Sequence, residues 1–197
     1  MPRQPDPDLE ERILHAADVL WRRGGEKALT MRAVARVAKT NTPAVYRRFR
    51  NREDLIRGLL QRIATRLRGH FEQGETLEEV ADAYIDFALR APHEYELFYT
   101  HAELLSRRNG RGDARPIREM RPNFGFVEQL LAKQLGGNPE DHTRLALELW
   151  ALLHGTTMLL LSRSIPEDHC EELRDACRVA VKALLGSAAG KKVPRKT

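Results

Sequence analysis

The chain has 197 residues, 42% of them hydrophobic and 31% charged, which suffices for a sizeable core and is the balance of a globular protein. No apolar run approaches the ~20 residues that span a bilayer, and the opening Met-Pro-Arg-Gln-Pro-Asp-Pro has no apolar stretch behind it, so no secretion signal is expected and the cytoplasm is the expected compartment. The net charge of +5 is uneven: the first sixty residues hold 13 Lys and Arg against 8 Asp and Glu, while the middle of the chain carries more carboxylates than cations, so only the N-terminal part is expected to meet a polyanion.

In chain order, Asp8 and Glu11 fit a capping box for a first helix, with Leu9, Ile13, Ala16, Ala17 and Leu20 at helical spacing and Trp21 beside them. Gly24-Gly25 should end it. Thr30 is a good N-cap for a second helix, and Leu29 can staple onto Val34. Small apolar residues, Val34, Ala35, Val37 and Ala38, line one face and allow another helix to cross closely. Lys39-Thr40 makes a corner, Asn41 caps a third helix and Pro43 sits in its first turn, where a missing N–H is harmless. Val45 and Phe49 face inward. Thr42, Pro43, Tyr46, Arg47 and Arg48 are left outside, an arrangement that suits a DNA major groove.

Three successive motifs carry a family resemblance: Val34-Ala35-x-x-Ala38, then Ala44-Val45-Tyr46-x-x-Phe49, then Asn51-Arg52-Glu53-Asp54-Leu55. Together they are similar to the helix-turn-helix of the TetR/AcrR family of bacterial transcriptional regulators. Lys39 departs from the pattern, because the family usually has a turn glycine there. A lysine at positive φ would be strained, though well placed beside phosphates. The resemblance implies an all-α protein: an N-terminal three-helix head, a long connecting helix, and a C-terminal helical bundle for dimerisation and ligand binding. The expected divisions are residues 1–52, 53–186 and a basic disordered tail, 187–197. Phosphate contacts are expected from Thr30, Lys39, Tyr46, Arg48 and Arg52. Base-edge contacts are expected from Thr42, Pro43 and Arg47, with Asn41 at the margin, and Thr40 in the corner is counted with the DNA-binding residues. Two ordinary amphipathic helices are the plain alternative.

Asn51 caps the fourth helix, whose free N–H groups with Arg52 would form a phosphate clamp. Leu55, Leu59, Ile63 and Leu67 repeat along it, and it should run to about His70, joining head to body as a lever. Thr76 and Glu79 box a helix to Arg90 with Leu77, Val80, Tyr84, Phe87 and Ala88 inward. Pro92 starts another with Tyr95, Phe98, Tyr99, Ala102 and Leu105. Residues 107–115 read as a polar, mobile loop. Residues 117–135 form a helix broken at Pro122 and ended by Gly136-Gly137. Pro139 to Ser162 is apolar on more than one face, and Glu167 to Leu185 forms the last helix. The breadth of this apolar surface suggests a homodimer through a four-helix interface on a two-fold axis. Trp150-Ala-Leu-Leu-His154-Gly155 resembles a Trp-x-x-x-His-Gly signature in one branch of these regulators.

No nucleophile–base pair, glycine-rich phosphate loop or defensible carboxylate pair is present, so no enzyme and no cofactor are expected. His169, Cys170 and Cys177 are too sparse for a zinc site, and the cysteines lie two helical turns apart, too far for a disulfide. The aromatic set Tyr84, Phe87, Phe98, Tyr99, Phe124 and Trp150, with His154 and Met158, reads as a core from its spacing. The resemblance instead implies an apolar effector pocket. The expected function is a DNA-binding repressor released from a palindromic operator by a small apolar ligand. A DNA-binding dimer with no effector is the alternative, and an enzyme using the body pocket the remote one.

Overall fold

The computed structural model describes residues 8–101, 103–106 and 116–190, and every regular element among them is helical. The lead-in, Ala102, the 107–115 loop and the residues from 191 onward lie outside the described residues. In chain order the helices are α1 (Leu9–Ala28), α2 (Met31–Val37), α3 (Thr42–Arg48), α4 (Arg52–Phe71), α5 (Leu77–Arg90), α6 (Pro92–Thr100), α7 (Glu103–Ser106), α8 (Ile117–Met120), α9 (Pro122–Leu135), α10 (Thr143–Leu161) and α11 (Cys170–Gly190), with 3-10 turns at Pro139–His142 and Glu167–His169. By their internal contacts the described residues divide into two compact units. One lies within Met1–Ile63 and His93–Arg111, the other within Ala64–Pro92 and Gly112–Thr197. The division therefore falls inside α4 and not at the 52/53 boundary that sequence suggests, and α6 and α7 belong with the N-terminal helices.

The first unit is built on caps and small residues. Asp8 precedes α1, but its backbone is already helical and its side chain makes no cap bond, so the expected box does not form. Gly24 and Gly25 break the helical path (φ −154° and +58°), yet one more turn follows to Ala28, making a kink where an end was expected. Only glycine takes the Gly25 conformation without strain. Thr30 accepts from the Ala33 N–H at 3.2 Å. Leu29 and Val34 are both fully buried, as the staple requires. After α2 the Thr40 N–H reaches the Ala35 carbonyl (2.9 Å) and the Lys39 N–H the Arg36 carbonyl (3.3 Å). This is a Schellman turn, and it puts Lys39 at its left-handed position, φ +52°. Asn41 then caps α3 through the Ala44 N–H at 2.8 Å. Val45 and Phe49 point inward and are buried. A Cβ at Gly58 would lie 2.8 Å from Phe49 Cε1 and 3.1 Å from Leu14 Cδ2, so glycine is what lets α4 cross closely over that ring.

Two polar anchors explain why α6 joins this unit. The Trp21 indole N–H donates to the His93 carbonyl at 2.9 Å. Arg22 pairs with Asp18 (2.9 Å) and with Glu94, and both carboxylates are buried. A buried carboxylate requires a charge partner. Sequence spacing shows only that Glu94 lies on a helix, not that its counter-charge sits on α1.

In the second unit α10 packs against α5, α9 and α11. The Thr76–Glu79 capping box is complete on both sides. The expected break occurs: α8 ends at Met120 and α9 starts at Pro122. Glu128, fully buried on α9, accepts from Thr143 Oγ1 at 2.5 Å and lies 3.1 Å from Arg118 Nε, which ties α8, α9 and the start of α10 together. Arg174 meets Asp86 at 2.7 Å and Arg178 meets Asp82 at 2.9 Å, a ladder fixing the register of α11 on α5. The last helix runs through Ser187, Ala188 and Ala189 to Gly190, so four residues assigned to the disordered tail are helical. Alanine's helix propensity accounts for the extension. Cys170 and Cys177 are both free thiols, Cys177 buried.

The segment Pro139–Leu161 has the length and composition of a membrane span. It nonetheless buries Leu145, Ala146, Leu149, Leu153, Thr156 and Thr157 within the unit, as a core helix does. Its other side is apolar and open: Leu147, Met158 and Leu159 are exposed, as is Val179 (67%) on α11.

Candidate functional site

The outer face of the α2–α3 pair concentrates uncompensated positive charge. Among the cations of the first unit, Arg22, Arg52, Arg57 and Arg62 are paired with Glu94 and Asp18, Glu26, Asp54, and Glu11 respectively. Arg32, Arg36, Lys39, Arg47 and Arg50 are exposed and make no side-chain ion pair among the described residues. These five fall within residues 32–50, the span of the two short helices, their turn and the two residues after α3. Arg23 and Lys27, exposed near the end of α1, extend the same positive stretch of chain toward the α2 N-terminus. Unpaired cations concentrated in this way are an electrostatic footprint for a polyanion.

Within that face α3 begins with Thr42, half-buried, and the exposed Pro43, followed by Tyr46 (51% exposed), Arg47 and Arg48. Asn41 is exposed and Thr40 half-buried in the turn. The Thr30 hydroxyl oxygen takes the Ala33 N–H, so its proton remains available to an acceptor at the α2 N-terminus. Short polar groups at a helix start, with Arg47 one turn on, can reach base edges, while the Tyr46 hydroxyl and Arg48 can reach phosphates. Arg32 and Arg36, on the exposed side of α2, were absent from the sequence expectations. Their signal was available, since neither lies on the Val34/Ala35/Ala38 stripe.

Arg52 is placed differently from the expected phosphate clamp. Its Nε donates to the Leu29 carbonyl (2.9 Å), Nη2 to the Glu26 carbonyl (2.9 Å) and Nη1 to the Glu26 carboxylate (3.0 Å). Its fork is turned onto the end of α1.

The expected aromatic set does not form one cluster. In the second unit Phe71 stacks between Tyr84 (6.5 Å) and Phe126 (6.2 Å), with the Arg68 guanidinium 3.8 Å above the Phe126 ring. Phe124 meets Trp150 edge-on at 6.2 Å. Phe87 lies against His70 at 5.7 Å. Phe98 and Tyr99 belong to the first unit, where Tyr99 stacks on Tyr95 at 6.2 Å. Met158 is 42% exposed and lies on the outer side of α10, with Leu147 and Gly155, and not among the rings. The all-round apolarity of α10 hides that assignment in sequence. His154 is half-buried on the flank between the two sides, and burial holds its imidazole below the ordinary pKa.

Comparison with known proteins agrees with this geometry. Residues 13–59 match the family model described as bacterial regulatory proteins, tetR family, and residues 77–184 match that of the tetracyclin repressor-like C-terminal domain. No curated protein matches the chain. Among solved structures, a protein with unknown function from Rhodococcus sp. RHA1 superposes with a TM-score of 0.71 at 20% identity, covering 96% of this chain and 100% of that one. A TetR-family transcriptional regulator from Streptomyces coelicolor gives 0.63 at 22% identity, covering 91% and 99%. The multidrug binding protein EbrR, solved with imidazole, gives 0.63 at 22% identity, covering 93% of each chain. EbrR has also been solved with malachite green and with proflavin.

Proposed function

The chain belongs to the TetR family of bacterial transcriptional regulators, and from that membership and the geometry above we propose that it is a homodimeric repressor released from a palindromic operator by a small apolar ligand. The observation that carries this reading is the exposed start of α3 ringed by unpaired cations from α2, the turn and α3 itself. Thr42, Pro43 and Arg47 read base edges with Asn41 at the margin and Thr40 beside it in the turn, while Thr30, Lys39, Tyr46 and Arg48 hold phosphates. Two copies meet through the open apolar faces of α10 and α11, around Leu147, Gly155, Met158, Ala176 and Val179, which are exposed in the single chain. A large exposed apolar patch on an otherwise charged surface is the mark of an interface. A two-fold axis there presents two α3 helices to half-sites about one helical turn apart.

The effector site lies among the rings of the second unit, Tyr84, Phe87, Phe124 and Trp150 with His154. The complexes of EbrR with malachite green and with proflavin support a ligand that carries aromatic rings. The ring contacts also favour a second reading, a dimer that binds DNA without an effector, because Tyr84, Phe87, Phe124 and Trp150 each already have an aromatic neighbour.

The test is fluorescence anisotropy on the palindrome upstream of its own gene and on a scrambled duplex. Wild type should prefer the palindrome. Arg47→Ala should lower that preference by about tenfold while leaving scrambled binding nearly unchanged. Equal binding of both duplexes by wild type would sink the reading. A dye screen by thermal shift separates the effector-bound from the effector-free version.

A further inference from the structure

The placement of Arg52 has a consequence beyond DNA contact. α1 is interrupted at Gly24 and Gly25, and the turn that follows, up to Ala28, is closed by two local bonds, the Leu29 N–H to the Glu26 carbonyl at 3.3 Å and the Thr30 N–H to the Ala28 carbonyl at 3.0 Å. This turn leads directly into Thr30, the N-cap of α2. Two acceptors there, the Glu26 and Leu29 carbonyls, together with the Glu26 carboxylate, receive the three donor nitrogens of one guanidinium at 2.9, 2.9 and 3.0 Å. That guanidinium belongs to the first residue of α4. The negative end of a helix favours a cation, and a planar fork can satisfy several acceptors at once where an ammonium cannot. The Leu29 side chain, whose carbonyl is held, is fully buried against the helix-turn-helix core.

We propose that Arg52 is a positioning residue for operator recognition. It fastens the start of α4 to the kinked turn before α2 and so fixes the orientation of the α2–α3 pair, and its charge, neutralised by Glu26, takes no part in counterion release. The proposal rests on the DNA-binding reading, and its test separates the two.

Wild type, Arg52→Lys, Arg52→Gln and Glu26→Gln are titrated with the palindromic and scrambled duplexes over a range of salt. A phosphate contact survives as lysine and disappears as glutamine, taking about one unit of the salt slope with it. A positioning fork is lost in both. The expected result is that Arg52→Lys and Arg52→Gln behave alike. The salt slope should stay that of wild type, and the preference for the palindrome should fall about tenfold. Glu26→Gln should shift the preference in the same direction by a smaller factor. The proposal is overturned if Arg52→Lys keeps wild-type behaviour while Arg52→Gln loses slope. It is equally overturned if Glu26→Gln tightens both duplexes and steepens the slope, which would reveal a phosphate-seeking arginine held back by Glu26.

Hydrogen exchange on the free protein needs no DNA. The Leu29 and Thr30 amides, bonded to the Glu26 and Ala28 carbonyls, should exchange about tenfold faster in both Arg52 variants, with the Ile63 amide unchanged. Unchanged Leu29 and Thr30 exchange overturns the proposal even if wild type binds no duplex, an outcome that would separately end the DNA-binding reading.

Discussion

Lys39 allows folding and DNA binding to be pulled apart with one substitution. It occupies the left-handed position of the Schellman turn between α2 and α3 at φ +52°, and its side chain is exposed with no ion pair among the described residues. For a residue with a Cβ that conformation costs about 1–2 kcal/mol, and glycine avoids it. Glycine also gains unfolded-state entropy worth about 0.4–1 kcal/mol against folding. The net advantage of Lys39→Gly over Lys39→Ala, which keeps the strain and removes the same charge, is therefore about 0.5–1 kcal/mol. In a chain of this length that raises Tm by roughly 1–4 °C, readable by calorimetry. Both variants should lose DNA affinity on every sequence alike, and log K should fall less steeply with log salt by about 0.9, the signature of one lost phosphate contact. Lys39→Gly should thus melt higher than Lys39→Ala while binding DNA no better. If it melts no higher, the turn is not strained by a side chain. If neither variant changes the salt slope, Lys39 does not sit at a phosphate.

Three further outcomes follow from the second unit. Val179→Glu, placing a charge on the exposed large apolar residue of α11, should yield a folded monomer by sedimentation, with operator affinity falling together with dimerisation; a dimer that persists would place the interface elsewhere. Glu128→Ala should destabilise by about 1–3 kcal/mol in denaturant titration, because it leaves a cavity and removes one of the two acceptors of the Thr143 hydroxyl and one of the two carboxylates facing Arg118, with only Glu140 left to both, whereas Glu128→Gln, which keeps an acceptor for Thr143, should lose less. His154 is held below its ordinary pKa by burial, so on acidification the unfolded chain takes up the proton first. Stability is full above the ordinary histidine value and is lost as pH falls toward the folded one. His154→Gln should accordingly lose less Tm than wild type between about pH 7.5 and about pH 5.5; equal losses would show that His154 does not titrate differently in the two states.

The helix-turn-helix was legible because its determinants are local. Thr30 and Asn41 cap residues three positions on, and Leu29, Val34, Val45 and Phe49 declare the inner face by spacing alone. Even the unusual turn could be read: a corner this short between two helices needs one left-handed residue, and Lys39 stands where it falls. The body helices were legible for the same reason, including the break at Pro122.

What escaped the sequence depends on partners far apart in it. Glu94 finds Arg22 and His93 finds Trp21 across 72 positions, and this carries α6 out of the expected body and onto the N-terminal helices. Phe124 and Phe126 stand two apart on α9, about 200° around the helix, so they serve different stacks, one with Trp150 and one with Phe71. Spacing names the face of each helix but not the face it meets. The arginines make the same point for function. Arg32, Arg36, Arg47 and Arg52 are equally cationic in a charge count, yet among the described residues Arg52 alone of them is bonded to acceptors, because the fold brings the Glu26 and Leu29 carbonyls, 26 and 23 positions away, beside its fork. The positive charge left free on this face is thus set in part by which acceptors the folded backbone turns toward each arginine. That is a property of the folded chain, and a count of cations along the sequence does not contain it.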